Sequence, residues 1–169
     1  MNNSLRQKLE ATFKDARIDI LEESRIAVTA ENNNVPAILR FLKDAGFDHL
    51  ALISAVDYIE DNEFELCYIL TRYMQGRDFE GHNLHIILKT RISREDPNFQ
   101  TAIGIYPNAE PYEREIHELF GIKFEGHKRL TPLLLERNYE IPPFRKDFDT
   151  RKYVNDLFDN IPSIEVENK

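Results

Sequence analysis

Apolar residues recur along the first part of the chain at two spacings, and these lay out its elements. Leu5, Leu9, Phe13 and Ala16 fall on one helical face, and Ser4 with Gln7 reads as a capping box opening that helix. Arg17–Leu21 and Arg25–Thr29 read as short strands. Glu31, Asn32, Asn33 and Asn34 form a turn and a helix start. From about Val35 to Ala45 the residues Val35, Ile38, Leu39 and Leu42 give an i, i+3, i+4, i+7 stripe, and Gly46 stands where a helix C-terminus prefers glycine.

Strands follow. His49–Asp57 is apolar on both faces, which predicts a central place in its sheet. Glu63–Tyr73 alternates, with Phe64, Leu66, Tyr68 and Leu70 on one side, and Asp61 with Asn62 marks a hairpin turn before it. His82–Lys89 is the third strand. This order predicts an α+β fold, with helices packed on one face of a largely antiparallel sheet.

The pattern changes after about Pro97. Tyr112–Phe120 is a short helix with Tyr112, Ile116, Leu119 and Phe120 on one stripe, ended by Gly121. Beyond it Pro132, Pro142, Pro143 and Pro162 are expected to break any helix or central strand, yet Leu133, Leu134, Leu135, Tyr139, Ile141, Phe144, Phe148, Leu157 and Phe158 are apolar. Such residues on irregular backbone need something to pack on, so some are expected to fold back on the sheet and the rest to meet another chain. The organisation is therefore an α+β domain over 1–96, a helix and loop packing on it over 97–130, and an extended arm over 131–169. The arm is expected to make few contacts with the sheet.

Bulk properties narrow the function classes. The chain has 169 residues and a formal net charge of −8, from 30 acids against 22 bases. Phosphate binding needs a surplus of clustered Lys and Arg, so nucleic acid is not the expected partner. The single cysteine, Cys67, excludes an intrachain disulfide and cannot hold an iron–sulfur cluster, which takes four thiolates. The longest apolar run, Leu50 to Val56, is far short of the roughly 20 residues that span a bilayer. The first residues have neither a basic start nor an apolar stretch, unlike a signal peptide. A soluble protein of a reducing compartment is the expectation.

Candidate chemistry is sparse. His82 and His85 would point to opposite faces of a strand and cannot share an ion. His117 lies one helical turn from Glu113, and His127 could approach through the Gly121–Gly126 loop, so a metal-dependent enzyme using His117, Glu113 and His127 is one reading. The plainer reading is i, i+4 pairing of Glu113 with His117 and of Arg114 with Glu118. Cys67 sits between Leu66 and Tyr68 and reads as a buried, inert thiol. There is no Gly-x-Ser-x-Gly elbow, no dinucleotide fingerprint and no phosphate loop.

One stretch is dense in polar identities. Glu113, Arg114, Glu115, Glu118, Leu119, Phe120, Gly121, Ile122, Phe124, Gly126 and His127 are followed by Pro143, Arg145, Lys146, Asp147 and Phe148. The pattern E-R-E-x-x-[D/E]-L-F-G-I-x-F-x-G-H, then P-x-R-K-D-[F/Y], resembles the signature of the C-subunit family of NADH-quinone oxidoreductase (respiratory complex I) and its counterpart in energy-converting nickel–iron hydrogenases. Ile105, Tyr106 and Pro107 before the helix also resemble that family, and the likeness covers about residues 5–150.

The resemblance implies a cofactor-free structural subunit in the hydrophilic arm of a membrane-associated NADH-quinone oxidoreductase. It would brace the large subunit that holds the quinone or nickel–iron site, beside iron–sulfur subunits that carry the clusters. Such a subunit is peripheral, on the cytoplasmic side of the cell membrane, and meets the membrane only through its complex. Where the family commonly has a basic pair beyond His127, this chain has Thr131-Pro132, and the Pro-Leu-Leu-Leu form is similar to hydrogenase-type or ferredoxin-linked relatives. Arg145, Lys146 and Asp147 follow a double proline, whose stiff backbone presents charges at low entropic cost. They are read either as an interface element or as a tie from the arm to its own domain.

Overall fold

The computed structural model describes residues 2–72, 84–135 and 139–157. The chain starts with α1 (Asn2–Thr12), the hairpin β1 (Arg17–Glu22) and β2 (Arg25–Thr29), a 3-10 turn at Asn32–Asn34 and α2 (Val35–Asp44). Then come β3 (His49–Tyr58), β4 (Glu63–Arg72) and β5 (Leu84–Ser93). The second part holds β6 (Asn98–Gln100), α3 (Ala109–Phe120), β7 (Lys123–Glu125) and α4 (Thr150–Leu157).

The main sheet has the order β1-β2-β5-β4-β3 among the described residues. Its pairs are antiparallel except β2 with β5. Registration makes the inner face a set of apolar rows. Val28, Leu88, Tyr68 and Ile53 form one row, and Ile26, Ile86, Leu70 and Leu50 the next. All eight are buried. The helices supply the facing layer of a single core, with Leu9 from α1, Val35, Ile38, Leu39 and Leu42 from α2, and Ile116, Leu119 and Phe120 from α3. The fold is thus the expected α+β, helices on one face of a mostly antiparallel sheet.

Several local expectations are corrected. The run from His49 is not a central strand: β3 is the edge of the sheet, and its outward residues Leu52 and Val56 are about two-fifths exposed (38% and 41%). Two apolar faces mark a strand whose second face goes uncovered within the chain, not only a strand between two layers. Ser4 lies inside α1, which begins at Asn2, so the Ser4–Gln7 pair does not cap its start. The third strand is Leu84–Ser93, and His82 lies outside the described residues. Strands β6 and β7, three residues each, pair in parallel as a second small sheet that no periodicity announces.

The outer face is mixed: Leu52, Ile69, Ile87 and Ala27 form one apolar row, and charges gather beside it. Glu65 takes bonds from Lys89 Nζ at 3.3 Å and Arg91 Nε at 3.2 Å. Cys67 lies beside Glu65 in this layer, and burial together with that carboxylate pushes its thiol up to about 11. An elevated thiol keeps the nucleophilic thiolate scarce.

Candidate functional site

Helix α3 carries the signature residues, and its position follows from its buried stripe. Ala109, Glu113, Ile116, Leu119 and Phe120 are buried, spaced for one face of a helix. Gly121 ends the helix in the left-handed conformation, φ +80°, with its N–H on the His117 carbonyl at 2.9 Å. This lock at the C-terminus favours glycine because any Cβ is strained there. Two polar side chains of the first turns reach β3: Asn108 Nδ2 donates to the Leu50 carbonyl (2.8 Å) and the Tyr112 hydroxyl to the Ala51 carbonyl (2.9 Å). Ala51 lies where the β3–β4 register shifts, between Leu50 and Leu52.

The expected helix pairs do not form. Glu113 is fully buried and turns to the loop before the helix, where Thr101 Oγ1 and the Ala102 N–H each donate to its carboxylate at 2.6 Å. Burial raises its carboxyl above the ordinary range, against those two bonds. The i, i+4 rule describes exposed helix surfaces, and Glu113 faces the core. His117 Nδ1 bonds the Ile122 carbonyl at 2.9 Å, closing the turn beyond Gly121. His127 accepts the Arg129 N–H on Nδ1 and lies 3.4 Å from the Glu110 carbonyl through Nε2. Glu113, His117 and His127 therefore serve three separate local bonds. No set of three His, Cys, Asp or Glu side chains among the described residues is placed to hold a metal ion.

Arg114 and Glu118 both turn to the arm. Arg114 donates to the Thr131 carbonyl at 3.0 Å and the Pro132 carbonyl at 2.8 Å, and pairs with Glu110 at 3.4 Å. Glu118 accepts the N–H groups of Leu133, Leu134 and Leu135 at 3.1, 2.8 and 2.7 Å. Partial burial pushes its carboxyl up, but the Leu134, Leu135 and Leu133 N–H groups and Arg114 outweigh it and hold the group below the ordinary range. Alternating donors and acceptors on one helix face thus grip a backbone strip with no side-chain motif of its own.

The second grip lies on the sheet. Phe144 N–H donates to the Leu119 carbonyl at 3.0 Å, and its ring meets Phe120 edge-on. Lys146 N–H donates to Asp57 Oδ2 at 2.8 Å. Arg94 reaches Asp57 at 2.9 Å and Asp147 at 2.6 Å, while Arg145 pairs with Asp147 at 3.4 Å and lies over the Phe64 ring. The expectation of few contacts between arm and sheet is therefore wrong over residues 145–147, while Phe144 packs on α3. Asp57 and Arg94 are the residues the sequence did not single out. The one available signal was a carboxylate at an inward position of an apolar strand, where Asp57 is 3% exposed.

Among the signature residues, Glu113, Arg114, Glu118, Phe120, Gly121, Arg145 and Asp147 make these internal ties. The Glu115 and Lys146 side chains have no hydrogen bond or ion pair to another described residue.

Similarity to known proteins follows the same outline. The family described as "Respiratory-chain NADH dehydrogenase, 30 Kd subunit" matches residues 28–154. The C-subunit of NADH-quinone oxidoreductase from Bartonella quintana is 34% identical, over 95% of this chain and 79% of that protein. The C-subunit of F(420)H(2) dehydrogenase from Methanosarcina mazei is 33% identical, over 85% of this chain and 89% of its own. Among solved structures, a chain of the membrane-bound sulfane sulfur reductase, an archaeal respiratory membrane complex, superposes with a TM-score of 0.83 at 27% identity, covering 95% of this chain and 93% of that one. A trypsin-resistant fragment of Nqo5 superposes with a TM-score of 0.62 at 27% identity, covering 75% of this chain and 98% of the fragment. With the signature helix and its arm in place, the chain belongs to the respiratory-chain NADH dehydrogenase 30 Kd subunit family.

Proposed function

We propose that this chain is a cofactor-free structural subunit of the hydrophilic arm of a membrane-associated NADH-quinone oxidoreductase, bracing the large quinone-site subunit beside the iron–sulfur subunits. The observation that carries this is an arm pinned at two places while its apolar side chains stay out. Leu134 is 63% and Phe144 60% exposed, with Leu133, Ile141 and Leu157 near two-fifths. Backbone fixed by Glu118 and Asp57 presents those side chains without the ordering cost a free tail would carry on docking. Glu115 and Lys146 supply rim charges. No described helix is long and apolar enough to cross a membrane, and in this reading the chain meets the bilayer through its complex, on the cytoplasmic side.

A second parent complex has its own support: a hydrogenase-type or ferredoxin-linked membrane complex, favoured by the likeness to the sulfane sulfur reductase chain over nearly its whole length. Recovery of the tagged chain from native membranes, with its partners identified by mass spectrometry, tests both. The proposal expects a large quinone-site subunit and iron–sulfur subunits. Nickel-ligating cysteine pairs in the large subunit assign the hydrogenase-type complex, and a chain recovered alone overturns the subunit role. The purified chain is expected to be colourless. A flavin or iron–sulfur absorption band that stays with the polypeptide counts against the cofactor-free role.

A further inference from the structure

The end of the arm builds a cavity that shares only Asp147 with the two grips. The rings of Tyr139, Phe148 and Tyr153 pack together, with centroids 5.8 Å apart for Tyr139–Phe148, 4.9 Å for Tyr139–Tyr153 and 5.5 Å for Phe148–Tyr153. They floor a space of about 280 Å3 rimmed by Glu140, Asp147, Asp149 and Asp156, with Lys152 as the one basic side chain among its described lining residues. Asp147 is committed to Arg94, and Asp149 Oδ1 accepts the Lys152 N–H at 3.0 Å at the start of α4. Glu140 and Asp156 are exposed and have no hydrogen bond or ion pair to another described residue.

We propose that this cavity receives one arginine or lysine side chain projected by a neighbouring subunit, an inference that rests on the subunit role above. Aromatic faces carry negative quadrupole charge and attract a cation, and Arg stacks on them while pairing with carboxylates. An anion would meet four carboxylates against one ammonium. A neutral apolar group would desolvate Glu140 and Asp156 without pairing them. The chain's own last residues, 158–169, are poor candidates, since they hold Asp159, Glu165 and Glu167 against Lys169. The aliphatic stem of a long basic side chain would lie on the rings and Ile141 with its charge at the rim.

The test uses the full-length chain and two probes, N-acetyl-arginine amide and N-acetyl-citrulline amide, which share a shape and differ in charge. The arginine probe is expected to shift the ring NMR signals of Tyr139, Phe148 and Tyr153 saturably, and to bind at least about fivefold tighter than citrulline. Glu140→Gln with Asp156→Asn is expected to weaken arginine binding about tenfold and to lower recovery of partner subunits, with the melting temperature of the free chain unchanged. Equal binding of citrulline, or no binding at tens of millimolar, overturns the inference. So does arginine binding that appears only in Lys152→Met, which would assign the cavity to the chain's own Lys152. Normal partner recovery by the double variant removes the cavity from the interface while the subunit role stands. Failure of the wild-type chain to recover partners removes both.

Discussion

Arg94 bridges to Asp147 at 2.6 Å across the junction of sheet and arm, and its other contact, Asp57, is almost wholly buried. The Arg94 side chain is about a tenth exposed (10%) and is the one cation paired with the buried Asp57 among the described residues, while Asp147 also pairs with Arg145. Arg94→Ala would leave the Asp57 carboxylate buried without a counter-charge, held by the Lys146 N–H alone. The expected cost is about 3–5 kcal/mol of chain stability, because an orphaned buried charge is penalised beyond the loss of its bond. Thermal unfolding of the free chain measures it, and proteolysis within residues 144–149 should quicken. A variant that melts like the wild type would mean the arm is not held through this bridge.

Glu118 makes a separable contribution. Glu118→Ala frees the N–H groups of Leu133, Leu134 and Leu135, and their hydrogen exchange should rise by an amount corresponding to about 1–3 kcal/mol of local stability, while the sheet stays protected. Glu118 and Asp147 both have carboxyls held below their ordinary values of 4.5 and 3.8. A depressed folded pKa stabilises the fold above the unfolded value and loses that stabilisation as pH falls through the folded one. Arm protection is therefore expected to be flat above about pH 5 and to fall progressively below pH 4.5. Protection that declines near neutral pH would contradict the assignment.

Glu113 has the opposite sign. Its carboxyl is raised by burial, so its contribution is fully present below the unfolded value and is lost as pH rises through the folded one. Glu113→Gln removes the buried charge and keeps an acceptor for the Ala102 N–H, and should match or exceed the wild type in stability. Glu113→Ala leaves that N–H unpaired and opens a cavity, at a cost of about 2–4 kcal/mol. Denaturant titration of the pair decides. A Gln variant as weak as the Ala variant would mean the charge itself holds the loop.

Cys67, with its thiol near 11, should react slowly with a disulfide reagent at neutral pH and fast only after denaturation. Labelling of the native chain at the rate of free cysteine would show a thiol more open than the structure gives.

How far the sequence reached depends on what each residue packs against. The sheet and first helices were legible because Phe64, Leu66, Tyr68 and Leu70 alternate and Val35, Ile38, Leu39 and Leu42 repeat at the helical period, and each pattern reports one covered face. The edge position of β3 was not legible, since Leu52 and Val56 are as apolar as buried residues although nothing in the described chain covers them. The arm's docking was hidden for a different reason. Leu133, Leu134, Leu135 and Lys146 are held by their backbone N–H groups, which every residue but proline carries. Sequence resemblance marked Glu118, Arg145 and Asp147 without saying which of them face inward.

The bonds from Asn108 and Tyr112 to Leu50 and Ala51 have a consequence for the chain before it finds its complex. An open strand edge is a template on which like edges add, and sheets that present one tend to aggregate. Along β3 two carbonyls are already occupied by helix side chains, and the irregular register at Ala51 breaks the straight ladder an incoming strand would need. The helix that organises the arm thus also works as a stopper on sheet growth. At its Leu50–Ala51 end, the edge is closed to an incoming strand before any partner subunit binds.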